Sequence, residues 1–129
     1  MISFFRGLFQ KIRHVYMIVQ AGLKAAVLTE ENYHFLFCWD SEVALYLLNH
    51  DMVDLTRRIY RSTCARFPYA ELELKVYHDP EIADEHLSLY VRLDIYPDNM
   101  MDIIEDISTE YEEEHAEARG WLLVTTDFN

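Results

Sequence analysis

The segment YHDPEIADEH, residues 77–86, concentrates the side chains of this sequence that are best suited to chemistry. It holds two histidines and four carboxylates within ten positions. Imidazole and carboxylate groups bind divalent cations when the fold brings three or four of them to one point. The candidate ligands are His78, Asp79, Glu81 and His86, and such a site would support a small metal-binding protein or a metal-assisted hydrolase.

The two flanking segments decide whether these histidines meet. Both segments alternate apolar and polar residues as half-buried strands do. The apolar positions are Leu72, Leu74 and Val76 in the first and Leu87, Leu89, Val91, Leu93 and Ile95 in the second. His78 continues the inward phase of the first strand, whereas His86 falls on the outward phase of the second. A regular hairpin therefore places the two histidines on opposite faces, and only a β-bulge would reunite them. The pattern favours a polar hairpin connection, in which Asp79-Pro80 starts the turn.

A second acidic stretch, EDISTEYEEEHAEA, spans residues 105–118. Glu112 and His115 have the Glu-x-x-His spacing of carboxylate-bridged di-iron proteins, but that chemistry needs a second such pair from another helix. Helical spacing instead aligns five acids on one flank: Asp102, Asp106, Glu110, Glu113 and Glu117. This flank is interpreted as a solvated helix face or as a docking surface for a basic partner.

Aromatic and basic residues share the outward face of the predicted sheet. They are Lys75, Tyr77, Tyr90, Arg92 and Tyr96. We expect this face to be covered by the N-terminal helices or a second subunit, or to bind a partner. Exposed aromatics on a sheet can also stack nucleic-acid bases. The cluster Arg57, Arg58, Arg61 and Arg66 is expected to pair with the acidic helix.

Charge argues against nucleic acid as a partner. The net charge is -12, and residues 68–129 contain three basic and seventeen acidic side chains, a net charge of -14. Such a half repels phosphate backbones. The three glycines are not clustered, which excludes a phosphate-binding loop, and no cofactor is expected. Cys38 and Cys64 lack CxxC spacing, which predicts two buried thiols in the cytoplasm, with a single disulfide as the alternative.

The N-terminal segment, residues 1–28, predicts a basic amphipathic helix with an apolar stripe at three- and four-residue steps. Its longest stretch free of Lys and Arg is ten residues, well short of the ~20 needed to span a bilayer. We expect it to pack on its own domain or on a second subunit. Resting on a membrane surface and binding a partner's groove are the alternatives.

The remaining elements predict one α+β domain. Helix starts are indicated at Thr29, at Ser41 and at Asp51 or Asp54, and Phe67-Pro68 ends the third helix. Two strands, a helix from Pro97 with Gly120 as its C-terminal cap, and a closing strand WLLVTTDF follow. The core order is α-β-β-α-β, with helices on a three-stranded sheet in residues 52–129 and a helical extension in residues 1–50. If residues 33–39 form a strand, the order becomes the ferredoxin-like βαββαβ.

The run RFPYAELELKVYHDPEIADEHLSLYVRL resembles, in its FP, alternating strand and DPE turn, a loose group of small bacterial proteins. The similarity covers roughly residues 57–95, and it implies no activity or site residue. The sequence therefore predicts a non-enzymatic, antitoxin-like or accessory protein-interaction module. We expect it to form a homodimer and to present an acidic face to a basic protein partner.

Overall fold

The computed structural model describes residues 28–81 and 83–126. The amphipathic helix predicted for the N-terminal segment lies outside these residues, except for Leu28. Within these residues eight elements follow one another: α1 Glu30–Phe37, α2 Ser41–Asn49, α3 Val53–Arg66, β1 Glu71–His78, β2 Glu85–Arg92, α4 Met100–Glu110, α5 Glu112–Glu117 and β3 Leu122–Thr125.

The sheet has the strand order β1-β2-β3. β1 and β2 form an antiparallel hairpin, and β3 returns parallel to β2 after α4 and α5. The inward phase of the strands is buried, with Leu74, Leu87, Leu89, Val91, Leu122 and Val124 in the core. Helical residues such as Leu36, Leu47, Ile59 and Ile107 complete the same cluster. The chain is therefore α+β, with helices packed on the inward face of a mixed three-stranded sheet.

Residues 33–37 belong to helix α1, so the ferredoxin-like alternative is wrong. Thr29 begins this helix as predicted, because its hydroxyl accepts a hydrogen bond from the N–H of Asn32. Phe35 and Leu36 are both buried, which explains why a short apolar run had no clear period. α1 and α2 thus place the described part of the predicted extension in the common core.

Two predicted helix starts are corrected. The carboxylate of Asp40, rather than Ser41, caps α2 by accepting from the N–H of Val43. Neither Asp51 nor Asp54 caps α3, which begins after Met52 without a side-chain cap. Asp51 instead ends α2 in the left-handed region, at φ 53°. There the N–H of Met52 donates to the carbonyl of Leu47, as in a Schellman motif.

The predicted end of α3 is confirmed. The helix stops at Arg66, just before Phe67-Pro68, and Leu55, Ile59 and Thr63 are buried. β2 is shorter than its apolar pattern suggested, because it ends at Arg92 and leaves Ile95 86% exposed.

The predicted fourth helix is interrupted at Tyr111, so the acidic flank is divided between α4 and α5. Gly120 is not a left-handed cap. It is required for close approach, since a Cβ there would lie 2.4 Å from Sδ of Met52 and 2.8 Å from Oη of Tyr46.

The prediction of buried thiols is wrong, because Cys38 and Cys64 are both exposed and free. Cys38 lies just past the end of α1, and Cys64 follows the buried Thr63 on α3. Among the helices of the described residues, none has the length and apolar character needed to cross a membrane.

Candidate functional site

The β1–β2 hairpin separates the two histidines of the opening segment. The register pairs His78 with Glu85 and Tyr77 with His86, and no bulge intervenes. Neighbouring residues of a strand point to opposite faces, so His78 lies on the face of the helices and His86 on the outward face. The predicted opposition of the histidines is confirmed.

Each histidine has its own local partners. Nε2 of His78 lies 2.6 Å from Oε1 of Glu42 on α2, a contact that raises the pKa of His78. The ring of His86 packs on Tyr77 with centroids 4.9 Å apart, and its Nδ1 lies 3.6 Å from Asp84.

The loop carboxylates shape the turn. Asp79 accepts a hydrogen bond from the N–H of Glu81 at 2.9 Å, as in an Asx-turn. His78, Asp79, Glu81 and His86 are therefore not brought to one point. Within residues 28–81 and 83–126, no group of three or more such side chains is placed to hold a metal ion.

The arginines of α3 are engaged by acids of the same chain. Arg58 and Arg66 pair with acids of α5 and α4, as the sequence predicts, whereas Arg57 and Arg61 pair with Glu31 of α1 instead. Arg58 binds both Asp54 and Glu114, which raises the pKa of its guanidinium and lowers that of Glu114. The other ion pairs of α3 are Arg57 with Glu31 and Asp54, Arg61 with Glu31 at 3.9 Å, and Arg66 with Glu110.

The acidic surface is defined as Asp102, Asp106, Glu110, Glu113 and Glu117, all of which are exposed. Of these five, only Glu110 has a cationic partner among the described residues, namely Arg66. Residues 98–117 contain no lysine or arginine. The acidic surface therefore keeps an unbalanced negative charge, which attracts cationic groups and repels anionic ones.

The outward face of the sheet, called the open face, consists of the outward residues of three strands. They are Glu71, Glu73, Lys75 and Tyr77 of β1, His86, Ser88, Tyr90 and Arg92 of β2, and Leu123 and Thr125 of β3. Tyr77 and Leu123 are each 43% exposed, and Trp121 at the start of β3 is 52% exposed. Large side chains left in water on a sheet face are typical of a contact surface.

Charges on the open face compensate one another. Arg92 binds Glu73, and Nζ of Lys75 lies 2.9 Å from Oε1 of Glu73, so the pKa of Glu73 is lowered. The guanidinium of Arg92 also lies over the ring of Tyr90, at 5.0 Å from its centroid. The open face has two acidic and two basic side chains and is therefore neutral, and it also carries aromatic rings. Residues 28–126 together, by contrast, contain 22 acidic and seven basic side chains, a net charge of -15.

A pocket of about 370 Å³ lies where α4 and α5 meet β3. The ring of His115 stacks on Trp121 at 3.8 Å, and its Nε2 accepts the N–H of Leu122 at 2.9 Å. Burial lowers the pKa of His115. The Nε2 lone pair is thus already used to hold β3 on α5 and is not free to act as a base.

Tyr46 forms a second junction that the sequence did not indicate. Its hydroxyl accepts the N–H of Trp121 at 3.0 Å and donates to the carbonyl of Glu85 at 3.4 Å. The ring stacks on His50 with centroids 4.0 Å apart. This contact joins α2 to the ends of β2 and β3 and fixes Trp121 at the margin of the open face.

No protein-family model, curated protein or solved structure matches the chain. The resemblance of residues 57–95 to a group of small bacterial proteins stays a prediction.

Proposed function

We propose that the protein is a non-enzymatic protein-interaction module, antitoxin-like or accessory in role, that binds a basic protein partner. The observation that carries this proposal is the open face: the described helices pack on the inward side of the sheet, and Tyr77 and Leu123 stand in water on the outward side, with Trp121 exposed at the margin. Tyrosine, tryptophan and arginine are the residue types that most often dominate the energy of protein interfaces.

The acidic surface supports a basic partner. Asp102, Asp106, Glu113 and Glu117 have no cationic side chain against them among the described residues, and the arginines of α3 are already paired. A basic protein would gain from this field during approach and would associate faster at low salt. Its contact with the open face, which is neutral, would rest on aromatic packing and would depend less on salt.

The metal-binding alternative gains no support from the hairpin, since His78 and His86 occupy opposite faces. A reaction that needs both side chains at one cation has no site there. The interaction role accounts for the exposed aromatic residues and the surplus of negative charge together.

The test is capture of a basic protein from the native host by the full chain, with matched variants. Tyr77→Ser with Leu123→Ser removes exposed apolar surface from the open face. Tyr33→Ser with Leu45→Ser is the control, because these helical side chains are nearly equally exposed, at 41% and 43%. We expect the first pair to abolish stoichiometric capture and the second to leave it intact.

Three results would overturn the proposal: equal loss with both pairs, capture that is indifferent to the open-face pair, or the recovery of acidic proteins alone. Circular dichroism of each variant separates loss of binding from loss of folding.

A further inference from the structure

Among the residues that the structure describes, none forms a strand on the outer side of β1, which is a free sheet edge there. Within residues 28–81 and 83–126, β1 is the terminal strand in the order β1-β2-β3 and pairs with β2 alone. Eight residues of extended chain span about 26 Å. The outer N–H and C=O groups of an edge strand form a template on which another strand can add.

The sequence of β1 is complementary to itself about Leu74. Consider β1 paired antiparallel with a second copy of itself, with Leu74 on the two-fold axis. Each residue that precedes Leu74 then faces the residue that follows Leu74 by the same number of positions in the other copy. Glu73 then faces Lys75 of the second copy, and this happens twice. Opposite charges directly across a strand pair stabilise the pairing.

The inward phase of β1 is complementary in the same register. Leu72 faces Val76 of the second copy, again twice. In the single chain Leu72 and Val76 are only half-buried, whereas Leu74 is 3% exposed. A second strand would cover the apolar area that these two side chains leave in water.

Neighbouring registers are opposed by like charges. A shift by two residues in one direction sets Glu73 against Glu73, although Glu71 then meets Lys75 twice. A shift in the other direction sets Lys75 against Lys75. A shift by one residue turns the apolar side chains of the added strand to the outward face of the sheet and its polar side chains to the inward face. The register centred on Leu74 is therefore favoured over these neighbours, because it forms two opposite-charge pairs and sets no like charges against one another.

We propose that two copies of this chain associate through β1, antiparallel and centred on Leu74, to form a continuous six-stranded sheet. The two-fold relation needs a self-complementary patch, which the Glu73–Lys75 spacing supplies. Association through the acidic surface would instead bring like charges together. In the dimer both layers of helices lie on one side of the sheet and both open faces lie on the other. This surface goes beyond the proposed function, because the open face stays free for a partner.

The test is sedimentation of the full chain over a wide range of concentration, with charge variants. Lys75→Glu places glutamates opposite one another, and Glu73→Lys does the same with lysines. We expect each variant alone to dissociate at least about tenfold more readily than the wild type, since about 1.4 kcal/mol corresponds to that factor. An equimolar mixture restores two opposite pairs and is expected to re-form dimers.

A wild-type protein that stays monomeric at all concentrations would overturn the proposal. So would dimers that survive Lys75→Glu unchanged, or a mixture in which folded Lys75→Glu and Glu73→Lys chains fail to associate. Thermal unfolding of each variant confirms that it is folded. Glu73 also binds Arg92, so Glu73→Lys could unfold the chain. In that case Lys75→Glu is mixed with Glu73→Gln instead. Restored association in this second mixture supports the same register.

Discussion

The imidazole of His115 accepts the backbone N–H of Leu122 at 2.9 Å, so a side chain of α5 holds the first residue of β3. Nε2 can accept only while it is unprotonated. The ring is stacked on Trp121 and partly withdrawn from water, which lowers its pKa. The attachment of β3, and with it one margin of the open face, therefore depends on the neutral form of one histidine.

Acid is expected to weaken this attachment. The unfolded chain binds a proton at His115 near the ordinary pKa of about 6.5, whereas the folded chain binds it only at lower pH. The contribution to the free energy of unfolding is therefore complete above pH 6.5 and is lost as the pH falls toward the lowered pKa. Urea unfolding of wild type and His115→Gln between pH 5 and 8 measures it, since glutamine keeps a neutral acceptor. A wild-type pH profile that matches that of the variant would contradict the assignment.

His78 is expected to show the opposite dependence. Glu42 raises the pKa of His78, so the folded chain binds the proton more tightly than the unfolded chain does. The resulting stability is present below about pH 6.5 and disappears as the pH rises through the raised pKa. NMR titration of the imidazole in wild type and Glu42→Gln tests this prediction, and we expect the pKa of His78 to fall in the variant. An unchanged titration would show that the contact with Glu42 does not hold in solution.

Substitutions at Gly120 and Asp51 are expected to change the free energy of unfolding in opposite directions. Gly120→Ala forces a Cβ against Met52 and Tyr46, and overpacking of this kind costs about 1–3 kcal/mol. Asp51→Gly relieves a left-handed residue at φ 53° and is expected to stabilise the fold by roughly 0.5–1 kcal/mol. Urea unfolding at neutral pH measures both. A neutral Gly120→Ala would mean that Met52 and the ring of Tyr46 move aside at no cost.

Substitution of the hairpin histidines is expected to leave divalent-metal binding unchanged. His78 and His86 lie on opposite faces and cannot share one ion. Calorimetric titration of zinc into wild type, His78→Ala and His86→Ala is the measurement. Saturable binding that both substitutions remove would revive the metal site and require a different hairpin register.

Short-range patterns in the sequence predicted much of this architecture. The alternation around Leu74 and Leu89 gave both strands of the hairpin and the opposition of His78 and His86. Phe67-Pro68 located the end of α3. Ile95 was misassigned because an apolar residue just past a strand continues its period by chance. The break at Tyr111 leaves the helical spacing of the acids almost unchanged, so the spacing did not reveal it.

The contacts that position the candidate surfaces join residues far apart in the chain. Tyr46 meets Trp121 across 75 residues, and Glu42 meets His78 across 36. Gly120 looked like a helix cap because glycine is common there, whereas its role depends on Met52 and Tyr46. No local pattern carries such information, since it arises from how the helices lie on the sheet.

The central claim is that the open face is available to a protein partner. The most direct test is the solvent accessibility of Trp121, at the margin of that face, in the isolated full chain. Trp39→Phe leaves Trp121 as the single reporter, and it removes an indole N–H that has no hydrogen-bond partner among the described residues. Acrylamide quenching of Trp121 fluorescence is expected to be efficient in dilute protein and to fall when the captured basic partner is added. Trp121 that is shielded in dilute protein would show that the chain covers this face itself. Shielding that appears only at high concentration would assign the face to a second copy, and either result would contradict the account.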